Sequence, residues 1–304
     1  MRIFEEANFT FIPNRRIGYM ISGTLLVLSI ISLTTRGLQM GIDFRGGIEI
    51  VVENVGGLEA TDVRAALAAP LGADPEVKTF GETGLLVRTS TELETTDAEE
   101  IILSTITSTF TDVDPRIVKT DNVGPRFAEE LKRGALWAVL GALGIIFMYI
   151  LVRFEWRYSL GAVAALVHDV TITLGLFSML AGVVPFSLQL DQAVIAAFLT
   201  IVGYSLNDTV VVFDRVREYT TMFKTEKFDV TVNRSINNTL SRTVITSTTT
   251  LIVVTILFLF GGEVLKAFSF ALIVGVIIGT YSSVFVASPV VVELRNRVEK
   301  AATA

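Results

Sequence analysis

The sequence predicts a polytopic α-helical membrane protein: six transmembrane helices, with one exported α+β domain inserted between the first and the second. Three observations lead there. Hydrophobic residues make up 51% of the chain and charged residues only 18%, with a mean hydropathy of +0.60, whereas soluble domains carry about a quarter charged residues. Six apolar windows are long enough to cross a bilayer. Between the first two lies a long polar stretch whose periodicity switches between strand and helix.

The windows fall near 17–34, 134–152, 158–180, 190–212, 240–260 and 264–290. The first follows Arg15 and Arg16 as a signal peptide would, but it is long, lacks a small-x-small cleavage site and precedes five more spans, so it reads as retained. Basic residues orient the bundle. Arg2, Arg15 and Arg16 precede the first span, and Arg153 and Arg157 lie between the second and third. Arg215, Arg217, Lys224, Lys227 and Arg234 follow the fourth, and Arg295, Arg297 and Lys300 follow the last. The opposite connections, near 181–189 and 261–266, hold only Lys266. The positive-inside rule therefore assigns residues 1–16, a loop 213–239 and a tail 291–304 to the cytoplasm of a multi-pass protein of the cell membrane, and exports residues 35–133. That exported stretch has 18 Asp/Glu against 10 Lys/Arg, the remainder 13 against 15; the overall charge of −6 thus belongs to the exported domain.

Within the exported stretch, 48-IEIVVE alternates as a strand and 60-ATDVRAALAAP has helical spacing ended by Pro70. The segments 76-EVKTF and 84-GLLVRTS flank a glycine-containing turn, a hairpin signal. A Thr96-x-x-Glu99 capping box opens a helix over 96-TDAEEIILSTITSTF, and 113-VDPRIVKTD closes the domain as a strand. The order βαββαβ is the split-βαβ, ferredoxin-like pattern. It holds no catalytic constellation and reads as a binding or spacer domain. The absence of cysteine removes disulfide and thiolate chemistry, and a single histidine, His168, removes a multi-histidine metal site. No catalytic or metal-binding residue is expected.

Polar groups break the apolar windows in three places. His168 and Asp169 stand mid-span in 166-LVHDVTITL. Ser205, Asn207, Asp208 and Thr209 end the next window. In 239-TLSRTVITSTTT, Thr239, Arg242, Thr246 and Thr249 recur every three or four residues, which predicts one polar face turned to protein or water. A charged side chain at a span centre costs about 2.5 to 3.5 kcal/mol even on insertion scales. Asp208 and Arg242 enter from the same side at similar depth, so an approach between them is geometrically reasonable, with Asp208 and Asn207 facing the bundle interior; the sequence leaves open whether the two touch. Desolvation and a guanidinium act on such a carboxyl in opposite senses. It is either half of a static lock between two helices or a site of proton or ion coupling. His168–Asp169 is equally open to a structural reading, and Asn207, Thr209 and Thr246 read first as interhelical hydrogen bonders. An intramembrane aspartyl protease built on Asp169 and Asp208 would need a Gly-x-Gly-Asp setting, which 203-GYSLND does not provide.

Taken together, 41-GIDFRGG, 167-VHD, 203-GYSLNDTVVVFDRVRE and 238-NTLSRTVITSTTTL resemble the signature segments of the SecF side of the SecD/SecF protein-export family, within the RND superfamily. The resemblance covers essentially the whole chain. The glycine motif, with Asp43, Phe44, Gly46 and Gly47, is shared by both sides of the family, whereas the fourth- and fifth-span segments are specific. The resemblance implies an RND-type half: an accessory subunit of the Sec translocase that, with SecD as pseudo-symmetric partner, uses the proton-motive force to promote preprotein export through SecYEG. YajC is a further candidate partner, and unfolded preprotein would meet the exported domain. It also implies no cofactor beyond a proton or sodium gradient, no nucleic acid, and no enzymatic activity. Asp208 of the Asn-Asp-Thr triplet and Arg242 of the Ser-Arg-Thr triplet would be the proton-relay groups, with a further aspartate supplied by SecD. The alternative is an RND-type proton-coupled transporter of small solutes or lipids, whose members carry two large exported loops rather than one small domain.

Overall fold

The computed structural model describes residues 8–72, 75–81, 83–89 and 93–303. Arg2, of the basic N-terminus, and Ser90, at the end of the expected hairpin, lie outside them. The elements are α1 (Arg15–Thr35), α2 (Ile42–Arg45), β1 (Gly47–Glu53), α3 (Ala60–Ala68), β2 (Glu76–Phe80), β3 (Gly84–Thr89), α4 (Thr95–Thr109), β4 (Arg116–Val123), α5 (Pro125–Arg153), α6 (Trp156–Leu180), α7 (Gln192–Met222), α8 (Phe228–Phe260), α9 (Glu263–Ser282), a π-helical turn (Ser283–Ala287) and α10 (Ser288–Thr303).

Among the described residues, six helices are long and apolar enough to cross a membrane; α9, the π turn and α10 together form the sixth. The packing of α1 is inverted relative to a helix of a soluble bundle. Helix α1 buries Gly18, Ser22, Ser29 and Ser32 while Ile17, Met20, Ile21, Val27, Leu28, Ile30 and Ile31 stay exposed. Lipid solvates the large aliphatic side chains, so association rests on small residues that let backbones approach. The same device recurs where α9 meets α7: a Cβ on Gly279 would lie 2.9 Å from Ser205 Cβ, and one on Gly275 would overlap Ile201. Two boundaries differ from expectation. The cytoplasmic loop expected at 213–239 is helical except for residues 223–227, and the last span continues past 290 as helix. Charged helical turns add no apolar signal, so a hydropathy window stops where the hydrocarbon match stops.

The chain divides into two compact units, and the second comprises Gln39–Ala138 with Leu180–Ile195. Its sheet is antiparallel in the order β2-β3-β1-β4, the arrangement that βαββαβ connectivity requires. Ile48, Ile50 and Val52 of β1 and Leu85 and Val87 of β3 pack against Val63, Leu67, Ala98, Ile102 and Ile106 of the two helices. The last strand starts three residues later than expected, at Arg116. The expected capping box is absent: α4 starts at Thr95 with Glu94 as N-cap and no side-chain cap bond. Glu99 instead accepts a hydrogen bond from Thr120 of β4 at 2.6 Å.

Candidate functional site

The glycine motif shapes one end of the sheet unit. Gly41 starts the single turn α2, and Gly46 and Gly47 follow it at φ 75° and 122°, values that favour glycine. A Cβ on Gly47 would press within 2.7 Å of Thr89 O. Gly41 N–H donates to Leu190 O at 2.6 Å, Leu190 N–H donates to Gln39 O at 2.8 Å, and Asp43 Oδ2 accepts from Gln192 N–H at 2.9 Å. Phe44 is half-buried. The motif is thus a backbone clasp on the segment between α6 and α7. Beside it, Arg88 of β3 stands opposite both Glu49 of β1 and Glu76 of β2 in the strand register. Its guanidinium donates to Glu49 at 2.6 Å, to Gln189 Oε1 at 2.6 Å and to Glu76 at 3.2 Å. Burial alone would raise the Glu76 carboxyl, but the Lys78 hydrogen bond and the charges of Lys78, Arg88 and Arg45 hold it below the ordinary glutamate range. Nothing local in the sequence marks Arg88, Glu49 or Gln189; the i↔j register of the hairpin was the one usable signal.

Inside the helical bundle two carboxylates are enclosed. Asp208 is 6% exposed, with Oδ1 accepting from Thr243 Oγ1 of α8 at 2.8 Å and Oδ2 from Ser283 Oγ of the sixth span at 3.2 Å. Asp169 is 1% exposed. It is hydrogen-bonded to His168 Nδ1 at 2.8 Å and accepts from Ser205 Oγ at 2.5 Å and Ser282 Oγ at 2.8 Å. His168 Nε2 reaches Ser22 of α1 at 3.0 Å. Consecutive serines, Ser282 and Ser283, thereby hold one carboxylate each, immediately at the start of the π turn.

The question left open by the sequence, whether Asp208 and Arg242 touch, resolves without a salt bridge among the described residues: the Arg242 side chain lies on the exposed side of α8, and its charge acts on Asp208 without direct contact. Thr243, its neighbour, takes the carboxylate instead. The expected single polar face of α8 is split accordingly. Thr239, Thr243 and Ser247 turn inward, while Arg242, Thr246 and Thr249 turn outward, where Thr246 bonds back to Arg242 O at 3.0 Å. Asn207 also faces outward, contrary to expectation, whereas Thr209 is buried with an unpartnered hydroxyl. Successive helical side chains diverge by about 100°, so one of two neighbours in sequence can turn inward while the other turns outward. Ser205 was legible as a polar residue in an apolar window. Ser282 and Ser283 carry the same signal in 281-YSS, a hydroxyl pair amid aliphatic residues.

The family model described as protein export membrane protein SecD/SecF, C-terminal, matches residues 102–297, and that for the SecD/SecF GG motif matches residues 31–53. The protein translocase subunit SecF of Rhodothermus marinus is 61% identical over 297 residues, covering 98% of this chain and 96% of that protein. The SecF subunit of Haemophilus influenzae is 38% identical over 291 residues, covering 95% and 87%. The crystal structure of SecDF, a translocon-associated membrane protein from Thermus thermophilus, superposes with a TM-score of 0.86 at 34% identity, covering 97% of this chain and 40% of that longer one. The chain belongs to the SecD/SecF family of protein export membrane proteins.

Proposed function

We propose that the protein is an accessory subunit of the Sec translocase, acting with SecD to convert the proton-motive force into export of preprotein through SecYEG. The observation that carries this reading is Asp208: a carboxylate enclosed in an apolar bundle and held by two hydroxyls, which among the described residues forms no salt bridge, although the charge of Arg242 acts on it from the outer side of α8. Such a group is costly to bury charged, by several kcal/mol, which makes proton uptake and release at this point energetically consequential. Arg242, Thr246 and Asn207 add a polar outward face that lipid would not solvate and that a second, homologous half would cover. The match to two fifths of a longer SecDF chain supports SecD as that half.

The energetics suit the task. A proton descending 100 mV yields about 2.3 kcal/mol, and each pH unit adds about 1.4 kcal/mol, so that about 100 mV with one pH unit biases a bistable bundle by nearly three powers of ten. In this reading both termini are cytoplasmic, the sheet unit faces the exported preprotein, and YajC is an additional partner. Proton flux and preprotein export in vesicles holding the protein with SecD and SecYEG test it. Asp208→Asn is expected to abolish both; undiminished flux and export would refute the relay. Repeating the assay with a sodium gradient alone identifies the coupling ion.

A further inference from the structure

The reading above uses Asp208 and leaves a second enclosed acid without a role. Asp169 is more deeply buried than Asp208, and its neighbour His168 bears on it directly. The other titratable groups around this network are Tyr281 of α9, whose hydroxyl contacts Ser22 at 3.1 Å, Asp208 of α7, and the outward-facing Arg242 of α8. Tyr204 of α7 turns its hydroxyl to Ser247 instead, at 3.3 Å.

A bare carboxylate with no cation is strongly disfavoured at such a position. The 2.8 Å contact between Asp169 and His168 Nδ1 resolves this with one proton shared by the pair, as carboxylic acid with neutral imidazole or as carboxylate with imidazolium. Both forms are net neutral. Removing that proton leaves an enclosed anion; adding another leaves an enclosed cation.

The link between the two acids lies in Ser282 and Ser283. Each hydroxyl has two acceptors within reach. Ser282 Oγ bonds Asp169 at 2.8 Å or Gly279 O at 3.1 Å, and Ser283 Oγ bonds Asp208 at 3.2 Å or Thr280 O at 2.9 Å. A hydroxyl rotates freely to the better acceptor, and an ionised carboxylate is a stronger acceptor than a carbonyl. Both serines therefore report the charge of their carboxylate as a choice between side chain and helix backbone. They sit side by side at the junction with the π-helical turn 283–287, where Ser288 Oγ in turn bonds Ser283 O at 2.8 Å. Backbone bonding is already irregular in that turn, a common trait of functional sites.

We propose that His168 and Asp169 form a second proton-binding site, coupled to Asp208 through the Ser282–Ser283 pair at the π turn of the sixth span. This rests on Asp208 exchanging protons, and the following experiment separates the two ideas. Infrared difference spectra between acid and neutral pH are recorded on the full chain reconstituted with SecD. Asp169→Asn is expected to remove a protonated-carboxyl band that Asp208→Asn retains; an unchanged spectrum in Asp169→Asn overturns the proposal. Should Asp169→Asn fail to assemble, His168→Gln serves, because it must alter the same band, and its preservation in that variant is equally fatal. Coupling is read from Ser283→Ala, which touches Asp208 and not Asp169 and is expected to move the midpoint of the Asp169 band by up to about one pH unit; an unmoved midpoint overturns it. If Asp208→Asn leaves flux intact while the Asp169 band titrates, the relay reading falls and the second site stands.

Discussion

Replacing Arg88 with methionine tests how the sheet unit is held to the segment that leads into α7. The guanidinium is 6% exposed and its closest acid, Glu49, 11%, so the substitution strands one buried carboxylate. Glu76 is not stranded in the same way, because Lys78 remains at 2.6 Å and the side chain is 32% exposed. Breaking a buried pair from one side costs about 3 to 5 kcal/mol, and the lost Gln189 bond adds to it. Hydrogen exchange of the β1 and β3 amides in the full chain reads this directly. Their protection is expected to fall by about two to nearly four powers of ten, at one power per 1.36 kcal/mol. The double variant Arg88→Met/Glu49→Gln removes the stranded charge and should recover most of the loss. Protection within tenfold of wild type in the single variant, or no recovery in the double, would refute the argument that an uncompensated charge dominates.

Two further outcomes follow from the packing and the charge network. Gly175→Ala drives a Cβ into Ser29 Cβ and Oγ; overpacking of this kind costs about 1 to 3 kcal/mol, seen as earlier thermal unfolding in detergent that Ser29→Gly relieves. Because Glu76 is held below its ordinary range in the folded state, its stabilising contribution is full above the unfolded glutamate value, about pH 4, and is lost as pH falls through the folded value. Wild type should therefore lose its thermal-unfolding advantage over Glu76→Gln on acidification below about pH 4, and a constant difference between the two down to the most acid pH would contradict this.

Some of this was legible because it is local. Apolar windows of bilayer length and a period-2 pattern in β1 and β3 are properties of consecutive residues, and they led to six spans and a βαββαβ domain. The carboxylates were legible too, since a charge in a hydrocarbon segment is conspicuous wherever it points. The capping box at Thr96 was a local signal that misled: Glu99 found a better partner across space in Thr120, an option no local pattern displays.

What the sequence determined by itself is therefore the inventory: which segments enter the membrane, which domain leaves it, and which polar groups must be accommodated on the way. What only the tertiary structure decided is pairing. Arg242 and Thr243 are adjacent, and a rotation of α8 by about 100° would exchange which of them meets Asp208. That rotation is fixed by contacts made across helices, such as Ser247 of α8 with Thr280 of the sixth span at 2.7 Å, while the absence of a side chain at Gly275 and Gly279 lets the sixth span close on α7. The outcome is a carboxylate met by hydroxyls instead of a guanidinium, with the arginine turned outward.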